Sequence, residues 1–372
     1  MMLEGVTVVD FSHYLPGPYA ALRLADLGAE VIKVEPRYGD LARGLESGNQ
    51  AFFYANNRNK KSIAINVKHP EGVEVVKKLL QKAAVLIESF RPNVMNRLGL
   101  GYQEVKRINK GIIYASLTGY GQKKEHSNLA SHDINFMAVS GVLAQLKDRE
   151  GIPVHPKITL GDEVGGMMTS EKIIAALFQR EQTGEGSYLD ISLTDSLVML
   201  MNNHIMLEKM YNKRHGLDSL SGKVVCYSIY ETSDRRFVAL GAVEQKFWYA
   251  FCEAVGRIEW KDKQHELAQD GQMIYEQMKA TFASKPLVYW TEFAMEVDCC
   301  LSPVLETNEL ASSPFTSHLV KEKGFVFTHT NDRFTDPPKL GEHTEEILQS
   351  LGLSRLEIER LEQLEVIDRI PV

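Results

Sequence analysis

Cysteine is scarce in this chain. There are four in 372 residues, two of them adjacent (Cys299 and Cys300), and no pair has metal-ligand spacing. A chain of this length forms a core without covalent staples, so a reducing compartment, the cytoplasm, is the expected location. No metal site is expected. No glycine-rich dinucleotide fingerprint follows the first apolar run. The Leu15-Pro16-Gly17-Pro18 turn lacks the glycine spacing that lets a backbone approach a pyrophosphate, and no Walker-type motif occurs anywhere. No apolar stretch is long enough to cross a bilayer. The first residues lack the basic start and long apolar run of a signal peptide and read as a strand. Positive charge is not in excess either. Lys and Arg number 42 against 49 Asp and Glu, a net charge of −7, which argues against a nucleic-acid binder. Internal repeats and low-complexity segments are absent.

What is present is ordinary globular composition, 44% hydrophobic and 24% charged. The length suits about two domains. In the first half, apolar strands over 6–10, 30–35, 62–66, 84–88 and 112–116 alternate with helical stretches. The first helix stops at Gly28, the next runs over 70–83 with Pro70 in its first turn, and another lies around 103–108. Alternation of this kind implies an α/β fold, a mostly parallel sheet covered by helices. Ligands of such sheets sit beyond the carboxyl ends of the strands.

The middle is more helical. Ser131 is a good N-cap for a helix to about 143, and Asp162 for one to 182 that Gly184 and Gly186 end. A strand over 188–192 and a long helix over 195–211 follow. A hairpin is expected from strands at 224–228 and 237–241, then helices near 247–255 and 275–283. The C-terminal end is helical over 344–351 and 354–364, broken at Gly352. This gives a large domain over 1–200, to which 320–372 returns, and a smaller α+β domain over 225–315. Linkers fall at 201–224 and 316–319.

Few residues speak to chemistry. His132 lies at the start of one helix, where unpaired backbone N–H groups disfavour a charged imidazole, and a neutral imidazole can accept a proton. Taken singly it reads as a surface histidine after a capping serine. Asp133 could orient the ring or serve the helix start. Asp162 is a proton-transfer carboxylate or an ordinary N-cap, and Glu244 after the second hairpin strand is by itself an exposed carboxylate. Two basic clusters lie near strand ends, Asn57-Arg58-Asn59-Lys60-Lys61 and Phe90-Arg91-Pro92 with Arg97. Each suits phosphate or a solvated surface.

Read whole, the sequence resembles the CaiB/BaiF family, the family III CoA-transferases, which includes the α-methylacyl-CoA racemases. The resemblance runs from about residue 3 to 361. It rests on LGAEVIKVE at 27–35, NKKSI at 59–63, KHPEG at 68–72, ESFRP at 88–92 and GYG at 119–121. SHDINF at 131–136, LGD at 160–162, TGEG at 183–186 and GEHTEEI at 341–347 add to it. It implies a large Rossmann-like domain built from both chain ends, a small domain, and intertwined homodimers.

The resemblance also implies CoA thioesters as ligands, with no cofactor beyond the CoA of the substrate. Asp162 matches the transferases' nucleophile, which in the racemases exchanges a proton instead. His132 matches the racemases' second acid/base residue and Glu244 the glutamate supporting it. For CoA it points to Leu15, Pro16, Lys61, Ile65, Asn66, Val67, Lys68, Ser89, Phe90, Arg91, Arg97, Gly119, Tyr120, Gly121 and Gln122. Where many members carry a phosphate-binding arginine directly after the second strand, this chain has Pro36, with Arg37 one place on. Other departures are Ser131 for the usual glycine, Phe136 for tyrosine, and Glu163-Val164 after the aspartate. The expected activity is racemisation of 2-methylacyl-CoA thioesters by two-base proton exchange. A CoA-transferase with a covalent Asp162 intermediate is the alternative, and a non-catalytic CoA-ester-binding protein a third class.

Overall fold

The computed structural model describes residues 1–44, 49–123, 125–148, 150–320, 325–326 and 334–368. The chain forms two compact units, Met1–Met201 with Phe327–Val372, and Asn202–Val326.

In the first unit the chain lays down β1 (Thr7–Asp10), α1 (Pro16–Asp26), β2 (Glu30–Glu35), α2 (Asn49–Asn57) and β3 (Lys60–Ile65). Next come α3 (Pro70–Lys82), β4 (Val85–Glu88), α4 (Val94–Arg97), α5 (Tyr102–Ile108), β5 (Ile113–Thr118) and α6 (Asp133–Val139). Then follow α7 (Leu160–Thr183), β6 (Ser187–Ser192) and α8 (Leu193–Leu200). Pro16 and Pro70 each occupy a first helical turn, where the missing N–H costs nothing. Gly184 ends α7 at φ +72°, a left-handed conformation that favours glycine.

β1 to β6 are parallel and run β3-β2-β1-β4-β5-β6 across the sheet. Successive side chains alternate between faces, and both faces are buried, as parallel strands require. Val9, Ile32, Val34, Ile63 and Leu86 pack on one face with α3 and α5. Val8, Val31, Val85, Ile87 and Ala115 pack on the other with α1, α6, α7 and α8. Strand order reverses between β1 and β4, which makes their carboxyl ends the switch point of the sheet.

The second unit holds α9 (Asn202–Tyr211), β7 (Tyr227–Glu231), β8 (Phe237–Gly241), α10 (Gln245–Ala254), α11 (Met273–Phe282), α12 (Leu287–Glu296) and β9 (Leu301–Pro303). The three strands form an antiparallel sheet. Trp248, Phe251, Trp260, Phe282 and Trp290 are buried in its core. The chain then returns to the first unit with α13 (Thr344–Ser350), α14 (Arg355–Gln363) and β10 (Ile367–Asp368). β10 adds to β3 as the antiparallel edge strand.

Several expectations are corrected. The helix expected over 195–211 breaks at Met201, and its second half is a helix of the smaller unit rather than linker. The first hairpin strand is shifted to Tyr227–Glu231, where alternate residues are buried. α6 stops at Val139 because Gly141 turns at φ +87°. No described helix is long and apolar enough to cross a membrane.

Candidate active site

The starts of α6 and α7 meet. The N-cap of α6 is His132, not Ser131, and its backbone N–H donates to Asn135 Oδ1 at 3.0 Å. The imidazole is exposed. The next residue, Asp133, accepts the backbone N–H of Asp162 at 3.0 Å through Oδ1. Asp162 is therefore not a cap. It is the third residue of α7, which Thr159 precedes. Close approach of the two helices requires Gly161, since a Cβ there would lie 2.9 Å from Asp133 Oδ1 and 3.0 Å from Leu197 Cδ1.

The Asp162 carboxyl is part-buried. Burial, then the charges of Asp133 and Glu163, push it up to about 7. Burial and Asp133 raise Glu163 as well. A carboxyl in the first turn of a helix is ordinarily favoured as the anion. Here desolvation and two like charges win. The site thus holds a carboxyl that carries a proton near neutrality, on a residue whose backbone N–H is bonded to the neighbour of an exposed histidine. Two backbone N–H groups at the head of α7 are occupied, Asp162 N–H by Asp133 and Glu163 N–H by the Thr159 carbonyl at 3.1 Å. The N–H groups of Leu160 and Gly161 remain the ones helix geometry leaves without an intrahelical acceptor.

The residues assigned to CoA mostly line the carboxyl ends of the parallel strands. Leu15 and Pro16 follow β1, Arg37 follows β2, and Asn66 to Lys68 follow β3, whose last residue is Ile65. Ser89 to Arg91 follow β4 and Gly119 to Gln122 follow β5, with Tyr120 packed edge-on against Phe136. The loops after β1 and β4 touch at the switch point. His13 N–H donates to Ser89 Oγ at 3.2 Å, and its ring packs edge-on against Phe90 at 5.6 Å. Lys68, Arg91 and Arg97 are exposed and have no ion-pair partner among the described residues.

The first basic cluster lies elsewhere. Arg58 pairs with Asp26, Lys60 with Asp10, and Lys61 with both Glu30 and Glu346 at 2.8 Å. Lys61 stands at the start of β3, not its carboxyl end. Arg37 is likewise engaged, with Asp368 at 2.9 Å and Glu365 at 3.3 Å. Glu244 occupies the N-cap position of α10 in the smaller unit without a side-chain capping bond, and is exposed.

Sequence reasoning missed a buried charge cluster under the β1 loop. Lys60 Nζ binds Asp10 at 3.1 Å and Lys33 binds Asp40 at 2.8 Å, while Arg43 grips Glu35 through two bonds of 2.6 and 2.7 Å. Three cations thus balance three carboxylates. Burial, with Lys33 as a like neighbour, brings Lys60 down to about 8 despite Asp10. Burial works against the Asp40 anion, yet Lys33 and His13 hold it below the usual carboxylate range. The signal was present as Lys33 and Glu35 inside an otherwise apolar strand. The cluster fixes the backbone of the β1 loop, where Lys33 Nζ donates to the Ser12 carbonyl at 2.8 Å.

The sequence profile of CoA-transferase family III matches residues 3–344. The chain belongs to this enzyme family. It is 32% identical to human alpha-methylacyl-CoA racemase, over 99% of this chain and 98% of the relative. It is also 31% identical to mouse succinyl-CoA:glutarate CoA-transferase, over 94% of this chain and 86% of the relative. The fold matches a crystal structure of a CAIB/BAIF family protein from Brucella suis, with TM-score 0.81 and 24% identity over 94% of this chain and 99% of that one.

Proposed function

We propose that this family III protein is a racemase or epimerase of 2-methylacyl-CoA thioesters. The observation that carries the reading is the α6–α7 junction, where Asp133, the residue next to His132, accepts the backbone N–H of Asp162, whose carboxyl is raised to about 7. Racemisation removes the proton α to the thioester carbonyl and returns one to the opposite face. It needs an acid/base group on each side, each able to hold or release a proton near neutral pH. Neutral His132 takes the α-proton, and protonated Asp162 delivers its own. In the reverse direction ionised Asp162 is the base and the imidazolium the acid. The enolate oxygen is stabilised by N–H groups at the head of α7, with Leu160 and Gly161 as the available donors. The CoA moiety lies along the carboxyl ends of β1, β3, β4 and β5, with Lys68, Arg91 and Arg97 toward its phosphates.

The 31% identity to a CoA-transferase supports a second reading, in which Asp162 attacks the thioester to form an acyl anhydride and then an aspartyl-CoA thioester. A nucleophile must be ionised, and a carboxyl raised to about 7 serves proton exchange better. The two readings part in deuterated water. The racemase incorporates deuterium at the α-carbon of a chiral 2-methylacyl-CoA and loses its stereochemistry. His132→Ala and Asp162→Asn each slow exchange by about 10²–10⁴. Transfer of CoA to a free acid with no deuterium at the α-carbon assigns the transferase instead.

The protein acts as a homodimer in this reading. Met167, Ile174 and Phe178 of α7 and Met199 and Leu200 of α8 are exposed apolar side chains that a second copy would cover.

A further inference from the structure

A second raised carboxyl lies outside the α6–α7 site. Glu88 is the last residue of β4 and is 4% exposed. One of its oxygens accepts the backbone N–H of Phe90 at 2.9 Å, and the other accepts the hydroxyl of Ser116 on β5. Ser116 Oγ in turn accepts from Gln122 Nε2 at 2.6 Å. The backbone N–H of Gln122 donates to Asp190 of β6 at 2.9 Å. One buried carboxyl thereby joins the loop after β4 to the loop after β5, two of the loops assigned above to CoA.

The surroundings offer Glu88 no counter-charge, since no cation pairs with it among the described residues. Asp190 faces it from β6 as a like charge. Tyr114 of β5 and Tyr188 of β6 are phenols that burial holds above their ordinary value, hence neutral. From the β1 side come Asp10, neutralised by Lys60, and His13, whose ring lies against Phe90. Burial pushes Glu88 up to about 7.

The two protonation states hold the loops differently. Ionised, the carboxylate accepts at both oxygens. The single Ser116 proton then points to Glu88 and leaves the Ser116 lone pairs for the Gln122 amide. A protonated Glu88 must place its own O–H, and Ser116 Oγ is the acceptor beside it. The Ser116 proton then turns away from Glu88, toward the Tyr188 phenol, and the bonds that Glu88 accepts when ionised, from the Phe90 N–H and from Ser116, lose their charge assistance.

We propose that Glu88 is a positioning residue which, when ionised, holds the two loops in register, so that the protein binds acyl-CoA thioesters more tightly in that state. The inference rests on the CoA-thioester reading of the site. Since ionisation grows as pH rises through about 7, affinity rises in the same direction. Full dependence on the ionised form gives about tenfold weaker binding at pH 6 than at pH 8.

The probe is acetyl-dephospho-CoA, because the 3′-phosphate monoester of CoA itself titrates in this window. Its Kd is measured by calorimetry from pH 6 to pH 8 for the wild type, Glu88→Gln and Ser116→Ala. The wild type is expected to lose about tenfold toward pH 6. Glu88→Gln should bind at the wild type's weak level and lose the roughly tenfold rise toward pH 8, while Asp162, which also titrates near 7, is common to both proteins. Ser116→Ala keeps the carboxyl but cuts the link to Gln122, and should bind weakly at pH 8; it carries the test if Glu88→Gln does not fold. A flat wild-type profile, or a Glu88→Gln variant that keeps the wild-type affinity and slope, overturns the proposal. Wild-type protein that binds neither this probe nor acetyl-CoA at any pH takes down the CoA reading itself, a different result from a flat profile.

Discussion

Replacing Asp162 by asparagine should stabilise the protein above neutral pH while removing its chemistry. In the folded protein the carboxyl is raised from 3.8 to about 7, by burial first and then by Asp133 and Glu163. The native state therefore binds this proton more tightly than the unfolded chain does. Stability from this group is fully present below about pH 4, falls as pH rises through 4 to 7, and is level above that. The total is about 4 kcal/mol at 1.36 kcal/mol per pH unit, a ceiling that partial solvent access lowers to about 2–3 kcal/mol. Asparagine fills nearly the same volume and carries no charge to desolvate. The Asp133 acceptor is also unaffected, because it binds the backbone N–H of residue 162. Urea unfolding of both proteins at pH 5 and pH 8, at one protein concentration, gives the comparison. Glu88 is raised too, but it is common to both and cancels in the difference. The advantage of Asp162→Asn should grow by about 1–2 kcal/mol between pH 5 and pH 8, since pH 5 already lies inside the window. An advantage of the same size at both pH values, or none, would refute the account of why this carboxyl is raised.

Other consequences are measurable. Arg91→Ala and Arg97→Ala should each weaken acyl-CoA binding, and the loss should shrink as salt is added; unchanged affinity in both places the phosphates elsewhere. By contrast Lys61→Ala should leave CoA binding alone, because Lys61 lies at the opposite strand end between Glu30 and Glu346. Gly161→Ala drives a methyl against Asp133 and Leu197, and should cost about 1–3 kcal/mol in thermal unfolding and lower the exchange rate; wild-type behaviour would mean the helices part freely. Sedimentation should find a dimer, and a stable monomer at micromolar concentration would contradict the proposed role of the α7 and α8 apolar faces.

Much of the large unit was legible in the sequence because its signals are local. The strands of the parallel sheet differ from expectation by only a residue or two at their ends, since an apolar run flanked by glycine and proline specifies a buried strand whatever its neighbours. The stops at Gly28, Gly184 and Gly352 were legible for the same reason. Legibility failed where an element lacks its own periodicity. α2, α4 and the two-residue β10 were missed, and β10 exists only because β3 offers an unpaired edge. The caps of α6 and α7 were misplaced by one and three residues, because a serine or aspartate near a helix start resembles a cap wherever the helix begins.

The sequence by itself determined the fold class, the family and the candidate acid/base residues His132 and Asp162, all carried by residue identity and spacing. Only the tertiary structure decided which charges are available. Arg58, Lys60 and Lys61 look like a phosphate cluster in the chain, yet strand order places a carboxylate against each of them. Arg91, Arg97 and Lys68 are exposed with none among the described residues. The same holds for proton affinity. Asp162 and Glu88 are ordinary carboxyls in the sequence, and both rise to about 7 once packing removes their water and supplies like charge without a cation. A pKa depends on every group within a few ångströms, and those groups come from strands and helices far apart in the chain.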